Sequence, residues 1–204
     1  MQELPLKESP IKSRSLMRIV LASESASRRR AMDILGLAYE VRPSRIDEKA
    51  IREEDPERLA CRLSEAKART VAETNPDAVI VAGDAVVSKA GRIYEKPADA
   101  AEAFEFLSGF SGDAVEFVTA ISVMNSATGK LLTAAQRSKI VFRSLQDSEI
   151  ADYIRRYEVL KFAGAFDGDA VIRFADHVSG SYNFATGVAL NDLISLLRVH
   201  GVEV

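Results

Sequence analysis

The sequence predicts an α/β domain on three observations. Short apolar runs rich in β-branched residues, Arg18–Ala22 and Ala78–Ala82, alternate with capped helical segments in the first half of the chain. Two longer runs, Ala114–Met124 and Leu131–Phe142, flank a turn at Thr128-Gly129 and read as an antiparallel pair. At 204 residues the chain can bury a substantial core as one domain, or as one domain with two lobes.

The elements follow in order. Residues 1–17 are polar, hold Pro5 and Pro10 and show no sustained period, so they read as a flexible extension ahead of a domain over 18–204. The first strand passes through three serines into a helix over Arg28–Leu35, ended by Gly36. Tyr39–Ser44 alternates weakly and predicts a second strand, which delivers Asp47 and Glu48 into a loop. A long helix then starts with Asp55 as N-cap and Pro56 at its first position, and its apolar stripe reads Leu59, Leu63, Ala66, Thr70, with Lys67 beside it. After the Ala78–Ala82 strand, Val86–Tyr94 turns back on itself around Gly91. Asp99 caps a helix to Leu107, and Asp147 caps another through Tyr157. Lys161–Asp169 reads as a loop, Ala170–Phe174 as a strand, Gly180–Gly187 as a turn, and Asp192–His200 as an amphipathic closing helix.

Composition narrows the function classes. Cys61 is the single cysteine, which rules out an intramolecular disulfide and points to a reducing, cytoplasmic setting. No apolar run approaches the ~18 residues of a transmembrane helix, so no membrane association is expected. The net charge of −3, with acids and bases interspersed, argues against a general nucleic-acid surface and leaves room only for local phosphate contacts. His177 and His200 lack the spacing of a zinc site and read as structural.

The candidate chemistry gathers around Ala78–Pro97. Asp84 follows the buried strand directly, which places its carboxylate at the mouth of a sheet, and Lys96 precedes a proline at the end of the hairpin. Taken alone, the same residues also suit a strand-ending acid and a solvated lysine. Ser23, Ser25 and Ser27 precede a helix that opens with Arg28, Arg29 and Arg30, so hydroxyls, free backbone N–H groups and guanidinium groups meet at one helix N-terminus. Cations there oppose the helix dipole, and an external anion would offset that cost. A serine cap beside a solvated basic face is the plainer reading. Asp47 and Glu48 form a carboxylate pair of the kind that holds Mg²⁺ together with substrate phosphates, although loops are rich in such pairs. Lys67 can either reach water or reach into a cleft.

Taken together these residues resemble the Maf family of nucleoside triphosphate pyrophosphatases over nearly the whole span from Ile19 to Gly201. The match rests on the order and spacing of LASESASRRR at Leu21, IDE at Ile46, EAKA at Glu65, AGDAVV at Ala82, EKP at Glu95, LSGFSG at Leu107, VFRSL at Val141, EVLKFAGAF at Glu158 and SGSYN at Ser179. The resemblance implies an elongated α/β fold of the Maf/ITPase type, a twisted mixed sheet flanked by helices, with a central cleft between two lobes. It also implies a homodimer and a divalent cation, Mg or Mn. The implied reaction is cleavage of a nucleoside triphosphate between its α and β phosphates, to a nucleoside monophosphate and pyrophosphate.

Carried over residue by residue, Asp84 matches the catalytic acid, expected to accept a proton from water and to help hold the metal with Asp47 and Glu48. Ser23, Ser25, Arg28 and Arg29 match the phosphate-binding loop, and Lys67 and Lys96 the two cleft lysines. The specificity positions fall on Ser27, Ala85 and Asp169. Those residues match neither the Arg, Thr and Gln expected for the pyrimidine branch nor the aromatic, Gln and Glu expected for the 7-methyl-GTP branch. The segments EFVTA at Glu116 and VLKFAGAF at Val159 are closer to the second branch, and Asp169 keeps an acid. The competing reading is a non-catalytic nucleotide-binding regulator of septum formation.

Overall fold

The computed structural model describes residues 17–168, 170–180 and 187–204. Its elements are β1 (Arg18–Leu21), α1 (Ala26–Ile34), β2 (Glu40–Val41), α2 (Pro56–Ala72), β3 (Ala78–Lys89), β4 (Arg92–Tyr94), α3 (Ala100–Phe110), β5 (Ala114–Asn125), β6 (Leu131–Phe142), α4 (Asp147–Arg156), β7 (Ala175–Ser179) and α5 (Leu190–Val199). The strands make one seven-stranded mixed sheet in the order β2-β1-β3-β5-β6-β7, with β4 paired to β3 off that path. Helices flank the sheet, as expected of an α/β domain.

The middle of the fold is β3, twelve residues long. One of its edges pairs antiparallel with β5 from Val79 to Ser88. The other edge is shared between two short strands: β1 runs parallel beside Ala78–Val81, and β4 runs antiparallel beside Val87–Lys89. Between them, over residues 82–86, that edge of β3 has no strand partner among the described residues. A strand has only two hydrogen-bonding edges, so the loops leaving β1 and β4 must meet at this gap.

Side chains alternate across β3. Ile80 and Ala82 pack with Ala68 and Val71 of α2, and Val86 packs with Leu59 and Leu63 of the same helix. On the opposite face Val79 and Val81 pack with Ala31 and Met32 of α1 and Leu193 and Leu197 of α5. Further along that face Val87 joins a separate aromatic core built from Phe106, Phe110, Phe117, Phe142 and Phe166. The opposite face thus carries two cores, one at each end of β3, and residues 83–85 lie where one gives way to the other.

Local chemistry explains most boundaries. The Asp55 carboxylate accepts the Arg58 N–H at 2.8 Å, with Pro56 at the start of α2. Asp99 caps α3 in the same way. Four expectations need correction. Asp84 does not follow a finished strand but lies inside β3, because pairing with β5 along almost its whole length overrides the turn tendency of Gly83-Asp84. The second strand shrinks to Glu40–Val41, which stand in register with Val20 and Leu21 of β1. Asp147 is the first residue of α4, whose cap is Gln146 in a reciprocal arrangement with Glu149. Ala170–Arg173 is a 3₁₀ turn, and the strand predicted there comes later, at Ala175–Ser179, paired with β6. Residues 1–16 of the predicted N-terminal extension over 1–17, and most of the Gly180–Gly187 turn, lie outside the described residues.

Candidate active site

Asp84 sits opposite Ala120 in the middle of β3, on the face covered by α2, and is only 7% exposed. A carboxylate so placed must be paired. Its partner is Lys67, whose Nζ lies 2.5 Å from Asp84 Oδ1 and 2.8 Å from Glu48 Oε1. Lys67 lies within the buried stripe of α2 rather than beside it. Ala60, Ser64, Lys67, Ala68 and Val71 face the sheet, while Ala66 and Thr70 turn partly outward. Burying a Leu or Val side chain stabilises by about 1.5–3 kcal/mol, so Leu59, Leu63 and Val71 hold α2 against the sheet while the ion pairs offset the burial of the ammonium.

The acidic pair after β2 divides its roles. Asp47 is exposed, and its Oδ1 accepts the Lys49 N–H at 3.1 Å, capping a short 3₁₀ turn over Glu48–Ala50. Glu48 turns inward to Lys67. Burial works against the Glu48 charge, but Lys67, Lys96 and Arg28 together bring its pKa below the ordinary carboxylate value. The same interactions put Lys96, two residues past β4, and Arg28, at the start of α1, within electrostatic reach of one carboxylate. The gap beside β3 therefore collects Asp84, Lys67, Glu48, Arg28 and Lys96 from five separate stretches of sequence.

The serine loop closes the β1 side of the gap. Ser23 is buried, and its Oγ accepts both the Ser25 N–H at 3.2 Å and Arg28 Nη1 at 3.1 Å. With both lone pairs engaged, its own proton is free to donate. Ser25 caps α1, accepting the Arg28 N–H at 3.5 Å. The Arg28 Nε is buried without a hydrogen-bond acceptor among the described residues. Desolvation lowers the Arg28 pKa from its ordinary value against the pull of Asp84 and Glu48, yet a guanidinium remains charged in proteins. Arg29 is exposed and donates to the Glu24 carbonyl at 3.0 Å, back onto its own loop.

Gly83 is a residue that sequence reasoning missed, though a glycine inside a strand run signals close approach. A Cβ there would stand 3.1 Å from Arg28 Nε, from the Ala120 carbonyl oxygen and from Val188 Cγ1. Of the specificity positions, Ser27 lies against Gly187 and Ala85 packs at the margin of the aromatic core. Asp169 lies outside the described residues. A groove of about 550 Å³ lined by Lys49, Arg52, Arg92, Glu95 and Lys96, among others, runs from the Lys96 side of the gap. His200 is structural, its Nε2 3.1 Å from the Val123 carbonyl oxygen.

No group of three or more His, Cys, Asp and Glu side chains arranged to hold a metal is present among the described residues. Asp84 and Glu48, both within hydrogen-bonding range of one nitrogen, make a two-carboxylate set instead.

A family model described as Maf-like protein matches residues 18–200. The chain belongs to the Maf family. Among curated Maf-family relatives, the dTTP/UTP pyrophosphatase of Deinococcus radiodurans is 37% identical over 91% of this chain and 94% of its own length. The 7-methyl-GTP pyrophosphatase of Chromohalobacter salexigens is 35% identical over 92% of this chain and 98% of its own. Both are named as pyrophosphatases, hydrolases of an acid anhydride, in agreement with the enzyme class expected from the sequence. A solved structure titled as a HAM1 protein from Coxiella burnetii aligns at TM-score 0.43 and 20% identity, over 62% of this chain and 73% of that one, too distant to add to the assignment.

Proposed function

We propose that the protein is a nucleoside triphosphate pyrophosphatase, cleaving the α–β phosphoanhydride to a nucleoside monophosphate and pyrophosphate. The observation that carries this reading is the buried Asp84–Lys67 pair, joined by the half-exposed Glu48, at a break in the β3 edge, with Ser23, Arg28 and Lys96 around it. A scaffold has no need of a buried carboxylate facing several cations across a strand gap, and replacing buried ion pairs with apolar side chains is commonly neutral or stabilising.

In this reading Asp84 accepts the proton of the attacking water, with its carboxylate aimed by Lys67. Ser23 Oγ–H, the free Arg28 Nε–H and the Lys96 ammonium donate to phosphate oxygens and stabilise charge as it moves onto the pyrophosphate leaving group. Asp84 and Glu48 are the residues that would hold a divalent cation, Mg or Mn, in the mode where one or two carboxylates share the ion with substrate phosphates. Such an ion, when bound, neutralises phosphate charge. Asp47, occupied as a cap, and Arg29, turned onto Glu24, enter only if their loops move. The same reading takes in one domain over 18–204, acting as a cytoplasmic homodimer on free nucleotides rather than nucleic acid. No helix among the described residues is long and apolar enough to cross a membrane.

The relatives' names span three bases, thymine, uracil and 7-methylguanine. All three are keto bases that carry a ring N–H. The test is pyrophosphate release with Mg²⁺ or Mn²⁺ over canonical, methylated and deaminated nucleoside triphosphates, beside the Asp84→Asn protein. Release that needs Asp84 supports the assignment. Binding without cleavage would favour a nucleotide-responsive regulator instead.

A further inference from the structure

The groove on the Lys96 side of the gap is larger than the leaving group of the reaction. It encloses about 550 Å³. Even at about 30 Å³ for each heavy atom, the share of a whole water molecule in the liquid, a pyrophosphate fills roughly half of that. The groove also borders the catalytic cluster. Lys96 lines it and draws on the Glu48 carboxylate, and Lys49 follows Glu48 in the same 3₁₀ turn. The rest of its lining includes Arg52 and Glu53, Arg92 and Ile93 of β4, Glu95, and Glu102 and Phe106 of α3.

Its charges are unevenly spent. The three carboxylates are all engaged: Glu95 with Arg52 at 2.9 Å, Glu53 with Arg62, and Glu102 Oε2 with the Ala98 N–H at 2.6 Å. Of the four cations, Arg52 is held by Glu95, while Lys49, Arg92 and Lys96 have no carboxylate in ion-pair contact among the described residues. The Arg52–Glu95 pair is exposed on both sides, 62% and 56%, so little free energy holds it and a phosphate can take Arg52 from it. Arg92 is held differently. Its guanidinium lies 4.7 Å from the centre of the Tyr94 ring and 5.8 Å from that of Phe106, a cation–π seat that leaves its N–H donors free. Phe106 is only 6% exposed and sits under Arg92, so it offers a nucleobase no open face to stack on. Unengaged cations beside such a wall suit a phosphate chain rather than a base.

We propose that this groove is a phosphate-chain subsite in which Lys49, Arg52 and Arg92 hold phosphates beyond the γ position, so that nucleoside 5′-tetraphosphates are substrates alongside triphosphates. The chemistry is that of the triphosphate reaction with a longer leaving group. Water adds to the α phosphorus, Asp84 takes its proton, and the bond from the α phosphorus to the α–β bridging oxygen breaks. That oxygen leaves with tripolyphosphate, and the water oxygen stays on the nucleoside monophosphate. Guanidinium groups suit this task because their forked donors match phosphate oxygens in pairs. This inference rests on the nucleotide reading above.

Two ratios test it, each measured in the parent, Arg52→Gln, Arg92→Met and Arg155→Gln under the same Mg²⁺. The first is kcat/KM for the tetraphosphate over the triphosphate of one nucleoside, uridine or guanosine, with tripolyphosphate identified as product by phosphorus NMR. The second is the Kd of pyrophosphate over that of tripolyphosphate, by calorimetry. In the parent both ratios should stand at about ten or more, the gain from one charge-assisted hydrogen bond. Arg52→Gln and Arg92→Met should each bring them toward one. Arg155, exposed on α4, does not line the groove, so Arg155→Gln removes the same charge elsewhere and should keep the parent ratios. Parent ratios near one, or an equal fall in Arg155→Gln, overturn the inference while the pyrophosphatase reading stands. Unchanged ratios in both groove variants, or in Arg52→Gln if Arg92→Met does not fold, overturn it in the same sense. A parent that cleaves no nucleotide overturns the pyrophosphatase reading itself, and this inference with it.

Discussion

Replacing Lys67 by methionine keeps an unbranched side chain of nearly the same length and removes the ammonium. In the folded protein Lys67 and Asp84 have side chains 7% and 9% exposed and their charged atoms are 2.5 Å apart. Removing one partner of such a pair leaves the other buried and uncompensated, at about 3–5 kcal/mol. The Glu48 side chain is 46% exposed, so losing its bond to Lys67 adds less than about 1 kcal/mol. Lys67→Met is therefore expected to cost about 3–5 kcal/mol, nearly all through Asp84. The double variant Lys67→Met/Asp84→Asn removes both charges and should return to within about 2 kcal/mol of the parent. Urea denaturation followed by circular dichroism gives all the values needed for the cycle. A Lys67→Met protein within about 1 kcal/mol of the parent would refute the reasoning. So would a double variant whose loss equals that of the two single variants together.

Three further outcomes follow from the same structure. Gly83→Ala drives a methyl group against a backbone carbonyl that cannot yield, so it should cost about 1–3 kcal/mol and displace Arg28, read as a raised KM for the triphosphate in a protein that still folds. Gly164→Ala meets Val87 Cγ1 at 2.8 Å with φ at +66°, so it should destabilise the aromatic core more than Gly83→Ala does, measured as the drop in urea midpoint. The Glu149 carboxyl is held down to about 2, from an ordinary 4.5, by paired hydrogen bonds from Arg143 and by the Gln146 N–H. A depressed folded-state pKa gives stability that is complete above about pH 4.5 and is lost as pH falls toward about 2. The urea midpoints of parent and Glu149→Gln should therefore converge across that interval, and a gap that stayed constant would contradict the sign.

Where sequence carried information, it did so through local chemistry. Asp55-Pro56 marked the start of α2, and Leu131–Phe142, read as a strand after the Thr128-Gly129 turn, matches β6 at both ends. Asp84, Lys67, Arg28 and Lys96 were legible as chemistry-bearing residues because their types and spacing resemble a family pattern. What did not show was any feature that depends on partners distant in the chain. Gly83-Asp84 reads locally as a strand end, and only β5 makes it mid-strand. Asp47 and Glu48 look equivalent as neighbours, yet one caps a turn and the other reaches Lys67. Lys67 reads as an edge residue because its charge argues against burial, a cost that two carboxylates from separate loops and strands offset.

The central claim is the bond that is cut. Phosphorus NMR of the products from a single nucleoside triphosphate, with parent and Asp84→Asn proteins under the same metal and pH, tests it most directly. The account predicts one pyrophosphate and one nucleoside monophosphate per triphosphate with the parent, and no turnover by the folded variant. Orthophosphate with nucleoside diphosphate, or pyrophosphate formed equally well by Asp84→Asn, would contradict it.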